Sequence, residues 1–174
     1  MRRFAGVLSI ALLLLSGCAT TQRLSAAGDV HALLIAIRDD DRAAFDAHVD
    51  RPALEGQIQS LMMDRAHRAR DGGAVAALGA LLSGPLSRVA GDAVIRPDVF
   101  RAVAEYYGYR PDTRIPGAFA LSTVLAPIGE GRVCARDRKD GRCLMTFANE
   151  DGTWRLVAVD TGKLAGLRRD GGGS

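Results

Sequence analysis

The sequence predicts an α+β protein, with N-terminal helices packed on a small antiparallel C-terminal sheet, and three observations point there. As far as Tyr107, apolar residues recur at helical spacing in segments separated by Asp, Gly and Pro. After Pro111 the chain breaks into short segments punctuated by Pro111, Pro116 and Pro127, ending in two alternating runs that read as hairpin strands. Strand and helix patterns never alternate as βαβ units require, which argues against a doubly wound sheet.

The first element is an address. Met1-Arg2-Arg3 is a positive start, and Ala5 to Leu15 is apolar apart from Gly6 and Ser9. Roughly eleven helical residues span about 16 Å, half of the ~30 Å that a transmembrane helix must cross, so the stretch reads as the apolar core of a secretory signal. Leu15-Ser16-Gly17-Cys18 resembles the lipobox of bacterial lipoproteins: an aliphatic residue, two small residues that fit a narrow peptidase site, then the thiol that accepts a diacylglyceryl group. That resemblance implies cleavage before Cys18 and lipidation on it, with residues 1–17 removed and 18–28 serving as a lipidated tether. A lipoprotein cysteine carries two or three acyl chains, enough for stable attachment where one would hold only marginally. Ala19 stands where an Asp often marks inner-membrane retention. The resemblance therefore implies an outer-membrane anchor facing the periplasm.

Residues 29–165 read as one α+β periplasmic domain. Asp29 reads as the N-cap of a helix with Val30, Leu33, Leu34 and Ile37 on its apolar stripe. Arg38-Asp39-Asp40-Asp41 stops it, and one of these Asp residues caps a short helix to His48 that turns Phe45 and Val49 inward. Asp50 caps a third helix, with Pro52 in its first turn and Leu54, Ile58, Leu61 and Met62 as its buried stripe; Asp71-Gly72-Gly73 ends it. A weaker helix is expected over 74–82, then a short one to about Ala93. Arg96-Pro97-Asp98 opens another, carrying Val99, Phe100, Val103 and Tyr107, and Gly108 closes it. Strands are expected at Cys143–Phe147 and Thr153–Val159, joined by Asn149-Glu150-Asp151-Gly152, with Trp154, Leu156 and Ala158 on one face. Residues 166–174 read as a disordered tail.

Of three cysteines, the lipidated one leaves Cys134 and Cys143, an even remainder that suggests a disulfide in an oxidising compartment. Their flanks read as β. A four-residue loop, Asp137 to Asp140, sets the two sulfurs opposite each other. A two-residue Asp140-Gly141 turn instead pairs Arg138 with Cys143 and leaves Cys134 opposite Phe147, too far to bridge. The compartment favours the first.

Asp41-Arg42-Ala43-Ala44-Phe45, His48 to Leu54 and Val94 to Phe100, with Gly152 to Val157 near the end, are similar to the pattern of the bacterial domain of unknown function DUF2939. The resemblance spans about residues 29 to 160. In that family an aromatic often fills the position of Arg51, and a basic residue that of Glu55. The resemblance implies a small envelope-associated α+β domain, NTF2-like or cystatin-like in its sheet, and carries no catalytic residue with it.

Composition narrows the function classes. Hydrophobic residues make up 48% and charged residues 25%, which fits a globular domain and not a disordered chain. The formal net charge of +3 shrinks once the signal is removed: without Arg2 and Arg3, 21 basic residues face 20 acidic ones, about +1. A nucleic-acid partner would need a concentrated basic patch. Arg65-Ala66-His67-Arg68-Ala69-Arg70 could touch lipid headgroups or peptidoglycan, but it also lies at a helix C-terminus, where cations offset the dipole, and the dipole reading is preferred. His31, His48 and His67 lie on three different helices without an i,i+4 partner, so no zinc-protease motif forms. Tyr106, Tyr107 and Tyr109 are all the tyrosines of the chain and form a candidate binding patch, set against simple packing around Gly108.

These readings favour a non-enzymatic, lipid-anchored envelope protein acting as an interaction or accessory module, with an envelope protein as partner and no cofactor or metal. One rival is a small-molecule or lipid carrier with a pocket between helices and sheet. The other is an enzyme, which needs two titratable groups within hydrogen-bond reach in a cleft.

Overall fold

The computed structural model describes residues 2–68, 73, 91–106, 109–110, 112–129 and 131–160. The order is α1 (Arg2–Asp39), α2 (Arg42–Ala47), α3 (Arg51–Arg68), α4 (Pro97–Tyr106), α5 (Ala118–Ser122), β1 (Leu125–Pro127), β2 (Arg132–Arg136), β3 (Cys143–Glu150) and β4 (Thr153–Val159). Helices come first and a four-stranded antiparallel meander, β1-β2-β3-β4, comes last, as the α+β reading expects.

Where one domain was expected over 29–165, the chain forms two compact units. One comprises residues 1–32 and 115–174, the other 33–114. The second difference lies in α1. Residues 18–28, expected as a short lipidated tether, continue its helix, and Ala26 and Ala27 are fully buried. Small side chains do not make a tether when they let a helix approach its neighbours closely.

In the unit of residues 33–114 the local signals worked. Asp39 ends α1, Asp40 takes a left-handed conformation at φ 57°, and Asp41 caps α2 by accepting the Ala44 N–H at 3.0 Å. Asp50 caps α3 in the same way through the Ala53 N–H at 3.0 Å. Leu33, Ala36, Phe45, Val49, Leu54 and Ile95 are buried, and Phe45 meets Phe100 edge-on with centroids 5.3 Å apart. The expected stripe on α3 narrows to Leu54: Ile58 and Leu61 are half-buried and Met62 is exposed. Arg51 bonds Asp46 at 2.6 Å and Asp92 at 3.1 Å, joining α2 and α3 to the helical residues 91–94, where the short helix ending near Ala93 was expected. The Tyr109 N–H reaches back to the Ala104 carbonyl at 3.0 Å, a closure typical of a helix end. The expected stop at 71–72, the helix over 74–82 and the tail 166–174 lie outside the described residues, as does Gly108.

In the other unit, cross-strand register assigns the sheet's faces. Val133, Phe147 and Leu156 are direct partners and all are buried, with Leu125 opposite Ala135 on the same face. Two bulges break the alternation. An extra residue, Leu144, sits between the pairs Ala135–Met145 and Arg136–Cys143; Val157 is the extra residue between Phe147–Leu156 and Thr146–Ala158. The second bulge corrects a sequence expectation: Ala158 does not share a face with Leu156, although Trp154 does. The β3–β4 turn is the two residues Asp151 and Gly152, both at positive φ (51° and 90°), as a type I′ turn demands.

Candidate functional site

The α1 helix enters the sheet unit along one stripe. Positions 18, 22, 25 and 29 are spaced to share a helix face, and the last three each hold the sheet. The Gln22 side-chain amide donates to the carbonyls of Gly129 (3.3 Å) and Arg132 (3.2 Å), fixing the β1–β2 turn. Trp154, the chain's single tryptophan, donates its indole N–H to the Ser25 hydroxyl at 3.0 Å. Its backbone N–H donates to the Asp29 carboxylate at 2.8 Å.

The last bond corrects the reading of Asp29. It is not an N-cap, because α1 runs through it. β4 is an edge strand, and Trp154 follows the hairpin pair Glu150–Thr153, so its N–H points away from β3. Asp29 satisfies that outward donor. An Asp before an apolar stripe is the signature of a cap, and only the fold shows that its acceptor serves a strand 125 residues away. The opposite edge, β1, is three residues long and contains Pro127, a common way to limit pairing with another chain.

Cys134 and Cys143 form a disulfide, Cα atoms 5.6 Å apart. Neither expected register produces it. The loop has six residues, 137–142, Arg136 pairs with Cys143, and Cys134 lies opposite Thr146. The bulge at Leu144 makes the bridge possible: without the extra residue, Cys143 would project from the other face. With it, Cys143 is the diagonal neighbour of Cys134 on the face that carries Thr146, whose hydroxyl lies 3.4 Å from the Cys143 sulfur. Cys134 is buried and Cys143 is exposed. The loop between them is ordered by its own carboxylates, Asp137 accepting from the Lys139 N–H and Asp140 from the Arg142 N–H and guanidinium. The Arg142 N–H, and then its side chain, hold the Asp140 carboxyl below the usual aspartate range. Arg38 does the same for Asp39 through a side-chain hydrogen bond.

The remaining candidates are dispersed. The His31 ring lies 2.9 Å from the Pro116 carbonyl, tying α1 to the segment before α5. His48 is half-buried at the C-cap of α2, and His67 is exposed in the last turn of α3. Among the described residues no group of three or more His, Cys, Asp or Glu could hold a metal ion. Tyr109 is half-buried, while Tyr107 and the side chain of Tyr106 lie outside the described residues, as do the side chains of Arg65 and Arg70. Cys18 falls within α1. Among the described residues no helix is long and apolar enough to cross a membrane. Sequence reasoning missed the roles of Gln22, Ser25 and Trp154. The signal that could have found the first two is their i,i+3 spacing on the stripe that continues through Asp29.

Comparison with known proteins gives one family. Residues 12–103 match the family model described as "Protein of unknown function (DUF2939)". That range takes in the stretches Asp41–Leu54 and Val94–Phe100 and ends before Gly152–Val157. No curated protein and no solved structure matches.

Proposed function

Since the chain belongs to the DUF2939 family, whose function is unknown, we propose its role from its own residues: a lipid-anchored protein of the bacterial cell envelope whose folded part is an interaction or accessory module. The observation that carries this reading is Leu15-Ser16-Gly17-Cys18 behind a positive start and an apolar stretch. Cys18 is the lipid attachment point, and the cut before it removes Arg2 and Arg3. Ala19 favours the outer membrane, with the protein facing the periplasm. The bridge between Cys134 and Cys143 supports an oxidising compartment, because cytosolic thiols are kept reduced.

Among the described residues, several polar groups that could carry chemistry are used to hold the fold, which supports a binding role over an enzymatic one. Asp29 satisfies a strand edge, Ser25 and Trp154 join helix to sheet, and His31 meets a backbone carbonyl. The partner is an envelope protein. Labelling cells with radioactive palmitate tests the anchor: wild-type protein takes up label, and Cys18→Ser abolishes it. Continued labelling of Cys18→Ser would end the lipoprotein reading.

A further inference from the structure

The two ends of the Cys134–Cys143 bridge differ in what surrounds them. Cys134 is 1% exposed, whereas Cys143 opens to solvent. A thiolate at Cys134 would be desolvated, so a released Cys134 stays a neutral thiol. Cys143 is provided for in both protonation states. The Thr146 hydroxyl, 3.4 Å from its sulfur, can donate to a thiolate, and the Met145 carbonyl, 3.6 Å away, can accept from the thiol. Its direct cross-strand partner is Arg136, exposed and cationic, and a neighbouring cation favours the thiolate. The adjacent Arg142 has its charge engaged by Asp140 at 2.7 Å. The hairpin also closes without the bridge. The Asp137 N–H donates to the Arg142 carbonyl at 2.8 Å, and the Gly141 N–H to the Asp137 carbonyl at 2.9 Å. Beyond them, β2 and β3 pair from Ala135–Met145 to Arg132–Ala148. None of these bonds needs the sulfurs joined, so the bridge can open and re-form within a folded sheet.

We propose that Cys134–Cys143 is a site of reversible thiol–disulfide exchange, its exposed Cys143 sulfur being attacked by the dithiol of a reducing protein. One thiolate of that dithiol bonds the Cys143 sulfur as the bond to Cys134 breaks. The electron pair leaves on the Cys134 sulfur, which takes up a proton. The second thiol of the donor, losing its proton, then attacks the donor's own sulfur in the mixed disulfide and releases Cys143. Two electrons and two protons pass to the bridge, and the donor dithiol becomes a disulfide. Exchange with a more oxidising protein disulfide restores the bridge by the reverse steps, with Cys143 as nucleophile and Cys134 as the resolving thiol. This adds a modification site to the binding role and does not depend on the lipid anchor.

The dependence of reduction on unfolding tests the proposal on the unsubstituted full chain. The bridge is reduced with dithiothreitol at a series of urea concentrations below the unfolding transition, with circular dichroism following the sheet. A parallel reaction with 2-mercaptoethanol, a neutral monothiol, is quenched in acid and its mixed disulfides are mapped by peptide mass spectrometry, which also separates any adduct on Cys18. The expected result is reduction at a rate that is flat in urea, with the sheet signal retained and the adduct on Cys143. The reduced protein then reacts with iodoacetamide about tenfold or more faster at Cys143 than at Cys134. A rate that climbs steeply with urea from the lowest concentration, or reduction only together with loss of the sheet signal, overturns the exchange site and leaves a structural bridge. An adduct on Cys134, or equal alkylation of the two thiols in folded protein, overturns the assignment of Cys143 as the reacting sulfur and with it the proposal.

Discussion

Reducing the Cys134–Cys143 bridge perturbs the sheet without altering its side-chain volume, and its effect can be worked out in advance. The cysteines are nine residues apart, so the bond closes a loop of ten. For that length the chain-entropy relation gives about 2.5–3 kcal/mol of stabilisation through restriction of the unfolded chain. In a chain of this size, each kcal/mol moves the melting midpoint by about 2–4 °C, so reduction lowers it by roughly 5–12 °C. If the sheet unit melts by itself the shift per kcal/mol is larger, about 4–8 °C. Calorimetry of the mature protein with and without dithiothreitol measures the shift, and Cys134→Ala/Cys143→Ala adds a cavity term because Cys134 is buried. Thiol titration of the denatured, unreduced protein finds neither thiol free. An unchanged midpoint on reduction, or two free thiols before it, would refute both the bridge and the register argument built on Leu144.

Three further perturbations probe how helix and sheet are held. Asp29→Ala strands the outward N–H of Trp154 and destabilises by about 1–3 kcal/mol in urea unfolding, whereas Asp29→Asn, which keeps an acceptor, recovers most of the loss. Phe147→Ala empties the centre of the buried face and costs about 3–5 kcal/mol; Phe119→Ala, at a site 79% exposed, changes the same midpoint by less than about 0.5 kcal/mol. The Asp140 carboxyl, followed by carbon NMR against pH, titrates below the ordinary aspartate range. A lowered folded-state value means that its interaction with Arg142 is present above the unfolded value and is lost as pH falls through the folded one. Arg142→Gln removes the guanidinium but keeps the backbone N–H, the larger cause, so the carboxyl returns only part of the way; a full return would contradict that ranking.

What the sequence made legible was local. Asp41 and Asp50 announce their helices because a carboxylate three residues before a backbone N–H is a signal contained in four residues. The two long strands and their connection at Asn149-Glu150-Asp151-Gly152 were visible for the same reason, although β3 runs on to Glu150 and leaves only Asp151 and Gly152 in the turn. The bulges at Leu144 and Val157 were not: one extra residue in a strand is a property of the pairing, yet it decides which side chains share a face and whether two cysteines can meet. β1, with three residues and a proline, carries too little alternation to announce itself. Residues 18–28 misled in the opposite sense, since small and polar residues suit a tether as well as a closely packed helix. Gln22, Ser25 and Asp29 acquire their roles only from carbonyls, an indole and an amide more than 100 residues away.

The anchor at Cys18 supports the functional reading, and mass spectrometry of the amino-terminal peptide of membrane-extracted protein tests it most directly. The account predicts that the mature chain begins at Cys18, with a diacylglyceryl group on its sulfur. A chain that begins at Met1, or at another residue with Cys18 unmodified, would contradict it.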